Sequence, residues 1–307
     1  MTGGRDQLLE QLRPAAFAVA YRMLGSVAEA EDVVQDALMR VNAALDAGQR
    51  IESPPAYMTT VTTRLAIDQL RSARVRRETY VGDWLPEPLV SDRSEDPAGQ
   101  AETADSLSLA FLVLLESLSP DQRAVLLLRD VFDYGYPEIA GIVGKTDQNA
   151  RQLAARARRH VGQRRPRFDV SRAERDRLAE RFFAATQDGD LAGLEQLLSA
   201  DVVLRGDGGG KVPALARSVH GRGRVARTLL AWARAGARSG RSSVRRVDVN
   251  GQPGALLMGP DDRLIGVMAL DIADGEIQGV KSLVNPDKLG HIGSVTDLRE
   301  LLRRPEA

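Results

Sequence analysis

The segment Tyr136–Val161, YPEIAGIVGKTDQNARQLAARARRHV, gathers side chains suited to nucleic acid. Asp147, Gln148, Asn149, Arg151 and Gln152 fall within two helical turns, and amide and guanidinium groups are the ones that pair with base edges in a major groove. Arg156, Arg158, Arg159, Arg164, Arg165 and Arg167 follow, at positions suited to phosphates. Pro137 and Glu138 open a short helix whose inner face is Ile139, Ala140 and Val143. Gly144 supplies a turn, and Thr146 is placed to cap a longer second helix. This is helix-turn-helix spacing, with the second helix free to enter a groove. An amphipathic helix with a solvated basic face has the same periodicity, so this segment alone leaves both readings open.

Two further stretches carry chemistry. In YMTTVTTRLAIDQLRSARVRR, starting at Tyr57, a stripe of Val61, Leu65, Ile67 and Leu70 faces inward. Thr59, Thr60, Thr62 and Thr63 give hydroxyls on another face. Arg64, Arg71, Arg74, Arg76 and Arg77, with Asp68 among them, form a basic ridge. A basic helix with Tyr57 and small polar groups suits a separated strand; a solvated face is the plainer alternative. In EAEDVVQDALMR, Glu29, Glu31, Asp32 and Asp36 lie beside an apolar stripe of Val33, Val34, Ala37, Leu38, Val41 and Leu45. Acids do not face phosphates, so this helix fits a basic protein surface, or complements its own dipole.

The elements that must hold these residues follow from composition and punctuation. The chain has 307 residues, 43% of them hydrophobic, which suits two or three domains. Lys plus Arg equals Asp plus Glu at 42 each, so only local charge is informative. The absence of cysteine excludes disulfides and thiolate metal sites, and His160, His220 and His291 are too dispersed for a metal cluster. The N-terminus lacks the pattern of a signal peptide, and no apolar run reaches membrane-span length, so a cytoplasmic protein without membrane or cofactor is expected. Residues 1–78 read as three helices, with Ser26 capping the second. Prolines and acids mark 79–104 as a linker. Residues 105–168 are helical again, with a capping box at Ser119 and Gln122. Residues 169–290 alternate helices at 174–187 and 222–235 with strands at 202–205, 242–249, 254–258, 264–272 and 277–284, as in an antiparallel sheet. A tail, 291–307, closes the chain.

Read in order, AEAEDVVQDALMRV, AYMTTVTTRLAIDQLRSARVRR and LESLSPDQRAVLLLRDVFDYGYPEIAGIVGKTDQNARQLAARARR closely resemble an extracytoplasmic-function (ECF) sigma factor. The resemblance implies two all-α domains, sigma regions 2 and 4. It implies core RNA polymerase (β′ clamp and β flap) and promoter DNA as partners. Asp32, Val33, Gln35 and Asp36 would meet the clamp. Arg64, Asp68, Arg71 and Arg74, with the loop 46–55, would handle the melted −10 element. Asp147, Gln148, Asn149, Arg151, Gln152 and Arg156 would read the −35 element. The linker would thread through polymerase toward its active site.

The last 140 residues exceed a minimal member of that family. WLPEP at 84–88, DGGGK at 207–211 and NPDKL at 285–289 resemble the subgroup with a SnoaL-like C-terminal extension. That resemblance implies an α+β cone-shaped domain regulating the factor in place of a separate anti-sigma protein. The glycines Gly208, Gly209 and Gly210 permit a close backbone approach or an anion nest beside Lys211; a simple hairpin turn is the alternative. Trp84 and Leu85 are costly to leave in water. We therefore expect Trp84, Leu85 and Pro86 to dock near Asp207–Lys211 or near Asn285, Pro286, Asp287, Lys288 and Leu289. The extension could instead hold a small-molecule ligand, or act as an enzyme through Asp201, Asp207, His220 or Asp271. The chain as a whole could be a duplex-binding transcription factor that does not need polymerase.

Overall fold

Gly25 and Ser26 set the first corner. Gly25 takes φ 67°, and Ser26 Oγ accepts from the Glu29 N–H at 3.2 Å. Helix α1 (Thr2–Leu24) therefore stops, and α2 (Val27–Asp46) starts. The inward face of α2 is Ala30, Val33, Val34, Ala37 and Val41, and it packs with α1 on α3 (Pro54–Glu78). The computed structural model describes residues 2–78, 80–92, 106–162, 170–238, 243–259 and 262–299, with the side chains of 2–4, 73–78 and 238 excepted.

After α4 (Leu109–Leu115), Ser119 and Gln122 form the expected capping box at 3.3 and 3.0 Å, with Pro120 in the first turn of α5 (Pro120–Asp130). Helix α6 (Tyr136–Val143) ends at Gly144, which is left-handed at φ 65°. Thr146 Oγ1 then accepts from Asn149 N–H at 3.2 Å and opens α7 (Asp147–Gly162). Val125, Leu128, Ile139, Ala140, Ile142, Ala150 and Ala154 form the core shared by α5, α6 and α7.

Apart from the first turn of α4, these helices belong to one compact unit, Met1–Glu78 with Leu112–Arg165; Thr79–Phe111 with Pro166–Ala307 make the other. The second unit contains β1 (Val90–Ser91), α8 (Arg172–Asp188), α9 (Leu191–Leu197), β2 (Leu198–Asp207), β3 (Val219–His220), α10 (Arg222–Arg238), β4 (Ser243–Val249), β5 (Gln252–Met258), β6 (Leu264–Ala273) and β7 (Glu276–Leu283). Its seven-stranded sheet has the order β1-β4-β5-β6-β7-β2-β3. Phe182, Phe183, Leu194 and Leu229 from α8–α10 pack on Val202, Leu204, Ala255, Leu270, Ile272 and Val280 of the sheet.

The sheet is mixed rather than wholly antiparallel as expected. β2 runs parallel to β7, while the other neighbours are antiparallel. The long excursion through α10 returns β7 beside β2 in the same direction, which no hairpin could do. β1 and β3 were not anticipated, because two residues carry no periodicity. β1 arises from the proline-rich stretch assigned to a linker, and it pairs Val90 with Val249 on the open edge of β4. Tail residues also join this unit: Leu264 N–H donates to Ser294 O at 2.9 Å and Thr296 N–H to Leu264 O at 2.8 Å. Residues 93–105 and 300–307 lie outside the described residues.

One buried cation knits the helical unit. Arg123, 2% exposed, donates to Leu115 O (3.0 Å) and Met23 O (2.7 Å) and pairs with Glu116 at 2.8 Å. It joins α5 to the end of α1. Replacing Arg123 with Leu removes both carbonyl bonds and the charge paired with Glu116, and should destabilise this unit by about 2–4 kcal/mol in urea unfolding.

Candidate nucleic-acid interface

Helix α7 turns Ala150, Ala154, Ala157 and Val161 inward, which leaves Gln148, Asn149, Arg151, Gln152 and Arg156 exposed; Asp147 is half-buried. Arg151 is held by Asp147 at 3.2 Å and lies 4.7 Å above the Tyr136 ring. Arg129 sits over the same ring at 5.5 Å. The arginine is thus presented in a fixed pose, which lowers the entropy lost on contact. Arg158, expected to meet phosphate, instead forks onto both oxygens of Asp130, and that hydrogen bonding pushes its pKa up. It ties α7 to α5. Arg164, Arg165 and Arg167 lie outside the described residues.

Helix α3 is arranged otherwise than its sequence implied. Thr62 and Thr63 are fully buried and Thr59 is 8% exposed, so most of the threonine face does not meet solvent. Tyr134 OH donates to Thr59 Oγ1 at 3.0 Å. Arg64, at the surface, donates to Gly141 O (2.8 Å) and Ile142 O (2.9 Å) at the end of α6. Arg71 pairs with Asp121 at 2.9 Å and Asp68 at 3.4 Å, and Lys145 reaches the same Asp121 at 3.3 Å. The polar side of α3 is therefore applied to α5 and α6. The side chains of Arg74, Arg76 and Arg77 lie outside the described residues.

On α2, Asp32, Gln35 and Asp36 are exposed and available to a partner. Val33 is not: at 7% exposure it packs inward, because it shares the helical phase of Ala30 and Ala37. Met39, 56% exposed, stands on the outer side of the same helix.

The three motif strings meet in the second unit. The Asp207 carboxylate, fully buried, accepts from Tyr80 OH (2.5 Å), Leu85 N–H (2.8 Å), Gly209 N–H (3.1 Å) and Lys288 Nζ (2.7 Å). Lys288 also donates to Leu85 O and lies 4.2 Å from the Trp84 ring and 4.9 Å from that of Tyr80. Burial and the bond to Asp207 raise the Tyr80 pKa, keeping the phenol protonated. Asn285 donates to Tyr80 OH at 2.9 Å, Asp83 accepts from Ser218 Oγ at 2.7 Å, and the His291 Nε2 donates to Pro88 O at 2.8 Å. Leu85 and Leu289 are fully buried, and Pro86 is buried beside them. Pro286, Asp287 and Lys288 form a single 3-10 turn, and exposed Lys211 pairs with Asp287.

The glycines are needed for this approach. Gly209 and Gly210 take φ of 58° and 70°, and Gly208 comes close to its own loop. A Cβ at Gly209 would stand 2.3 Å from Asn285 Nδ2, and one at Gly208 2.6 Å from Val212 O. Of the amides in this loop, Gly209 N–H is directed at the chain's own Asp207.

Residues 8–76 match the model of sigma-70 region 2, and residues 108–161 that of sigma-70 region 4. The chain is 38% identical over 288 residues to the ECF RNA polymerase sigma factor SigJ of Mycobacterium tuberculosis, covering 91% of each protein. The chain belongs to the ECF sigma factor family. It is also 34% identical to the probable ECF sigma factor SigI of the same organism, over 88% of this chain and 90% of that one. The crystal structure of M. tuberculosis SigJ matches with a TM-score of 0.74 at 34% identity, covering 92% of this chain and 96% of that one.

This sigma factor binds core RNA polymerase and promoter DNA and directs promoter-specific initiation. Its architecture is two helical sigma domains with a SnoaL-like C-terminal α+β domain. The reading as a duplex-binding regulator independent of polymerase is set aside by the region 2 match and by relatives that are polymerase subunits along nine-tenths of the chain. Among the acids raised for catalysis, Asp207 holds the linker, and Asp271 pairs with Lys281, whose pKa burial lowers. Asp201 and His220 are exposed. No helix among the described residues is long and apolar enough to cross a membrane.

Sequence reasoning missed Tyr80, Arg123, Tyr136 and Asn250. Tyr80 lies just outside WLPEP, and an isolated tyrosine carries no spacing signal. Gln148→Ala or Asn149→Ala should weaken holoenzyme binding to a −35-dependent promoter about 10- to 100-fold at fixed salt, with the thermal midpoint unchanged, read by fluorescence anisotropy.

Proposed function

We propose that the SnoaL-like domain holds this sigma factor in a form unable to read a promoter, by keeping the linker on its own sheet. The observation that carries this is the buried Asp207 carboxylate, which binds linker residues Tyr80 and Leu85 together with Lys288 of NPDKL. A linker so bound is not available to thread through polymerase. Removing one partner from a buried ion pair costs several kcal/mol, so release needs a compensating contact, which core polymerase supplies.

Recognition is assigned as follows. Gln148, Asn149, Arg151, Gln152 and Arg156 on α7, beside Asp147, read the −35 element. Arg64, Asp68, Arg71 and Arg74 on α3, with the loop 46–55, contact the −10 element. Asp32, Gln35 and Asp36 meet the β′ clamp, while Val33 holds their helix in place. The region 4 helices meet the β flap. The protein acts in the cytoplasm, where core polymerase and promoter DNA are found. A ligand in the SnoaL-like domain is not required by this reading.

Geometry supports a change of state in the helical unit as well. The −10 and −35 elements lie about 25 base pairs apart, or roughly 85 Å of duplex at about 3.4 Å each. A unit of its size has a radius of gyration near 14 Å. With Arg64 bonded to Gly141 and Arg71 to Asp121, α3 and α7 cannot reach both elements. These bonds are exposed or part-buried and individually weak, as a reversible contact requires.

Trp84→Ala removes the ring over Lys288 and part of the apolar linker contact, leaving Leu85 in place. Run-off transcription with purified core polymerase should rise about 5- to 30-fold while both units remain folded. Unchanged output and unchanged linker docking would remove the basis of this reading.

A further inference from the structure

Asn250 and Gly251 form the two-residue turn between β4 and β5, with φ of 53° and 73°. That is the ordinary Asn-Gly hairpin, and the turn alone accounts for the residue type. It does not account for the side chain. Asn250 is only 2% exposed, and its polar atoms reach two distant segments. Oδ1 accepts from Leu89 N–H at 2.9 Å, and Nδ2 donates to Leu107 O at 2.9 Å. The backbone N–H of Asn250 adds a bond to Leu89 O at 2.8 Å. Next to it, Val90 and Ser91 extend the sheet along β4.

Leu89 and Leu107 are eighteen residues apart and stand on either side of the acid-rich part of the linker. One side chain therefore binds the chain where it leaves WLPEP and again where it enters region 4. We propose that Asn250 is a positioning residue of the linker clamp: it sets the spacing of Leu89 and Leu107 and so couples release of WLPEP to release of the start of region 4. This rests on the linker-docking reading above. It adds a second point of control about the β4–β5 turn, away from the Asp207 cluster.

The amide matters because it is both donor and acceptor. A carboxylate at 250 keeps the acceptor for Leu89 but sets a negative oxygen against Leu107 O. Asp also tolerates the left-handed backbone, and Gly adopts it freely, so neither Asn250→Asp nor Asn250→Gly disturbs the turn itself.

The test uses the full-length chain. Amide hydrogen exchange across residues 85–92 and 106–111 is measured by mass spectrometry, alongside affinity for core polymerase. Asn250→Gly should speed exchange in both stretches and tighten core binding about tenfold, from loss of two hydrogen bonds. Asn250→Asp should act mainly on 106–111. Melting temperature, followed in parallel, should move little in either variant. Should Asn250→Gly exchange and bind as the unaltered protein does while Trp84→Ala accelerates both, Asn250 is a turn residue only and the inference is wrong, with linker docking intact. Should neither variant change exchange or affinity, the docking reading fails too.

Discussion

A buried carboxylate must be matched in place, and Asp207 is such a group. It sits at the end of β2, fully enclosed, with a phenol, two backbone amides and an ammonium directed at it. Much of the second unit follows from this requirement. Gly208 and Gly209 after it must be glycines, because the loop turns back to bring Gly209 N–H to the carboxylate and leaves no room for a Cβ at either. Lys288 must be delivered by the tight turn after β7, which Asn285 caps through Asp287 N–H. Leu85 must enter as extended chain, presenting its N–H to Asp207 and its carbonyl to Lys288. The linker is thereby built into the sheet domain as a structural part of it.

The helical unit shows the complementary principle. Its internal cores use ordinary apolar packing, but the contact of α3 with α5 and α6 is polar. Arg64, Arg71 and Tyr134 make it. Contacts of this kind give up less on separation than an apolar interface, since water can replace each partner. Under the proposed function the same arginines, once freed, are the ones that meet the −10 element. In that proposal the surface that holds the unit closed and the surface that binds DNA are, on α3, one set of side chains.

The sequence made the helices legible because capping chemistry is local. Ser26, Ser119 and Thr146 each do what their neighbours at the third position require, and Gly144 ends α6 as its type demands. The exposed face of α7 was equally readable from the alternation of alanine with polar residues. What escaped depends on distant chain. The parallel pairing of β2 with β7 is set by the path through α10. Val33, which the resemblance gave to the clamp, lies where its apolar stripe put it, turned inward with Ala30 and Ala37. Arg158 reads as a phosphate ligand until Asp130, 28 residues earlier, is found beside it. Tyr80 and Asn250 have no motif around them, and their roles exist only because the linker comes back to the sheet.

The chain contains no cysteine, which permits a direct lock on the linker. A Cβ placed on Gly210, which is left-handed at φ 70°, would lie 3.2 Å from Val81 Cβ, so a small outward shift of the exposed Val81 brings the pair to the roughly 3.5–4.5 Å a disulfide needs. Cysteines at both positions, oxidised, bind the start of the linker to the DGGGK loop. Run-off transcription with core polymerase should fall at least tenfold in the oxidised protein and return on addition of a thiol reductant. Equal transcription from the oxidised and reduced forms would show that the linker need not leave the SnoaL-like domain, and would contradict the account.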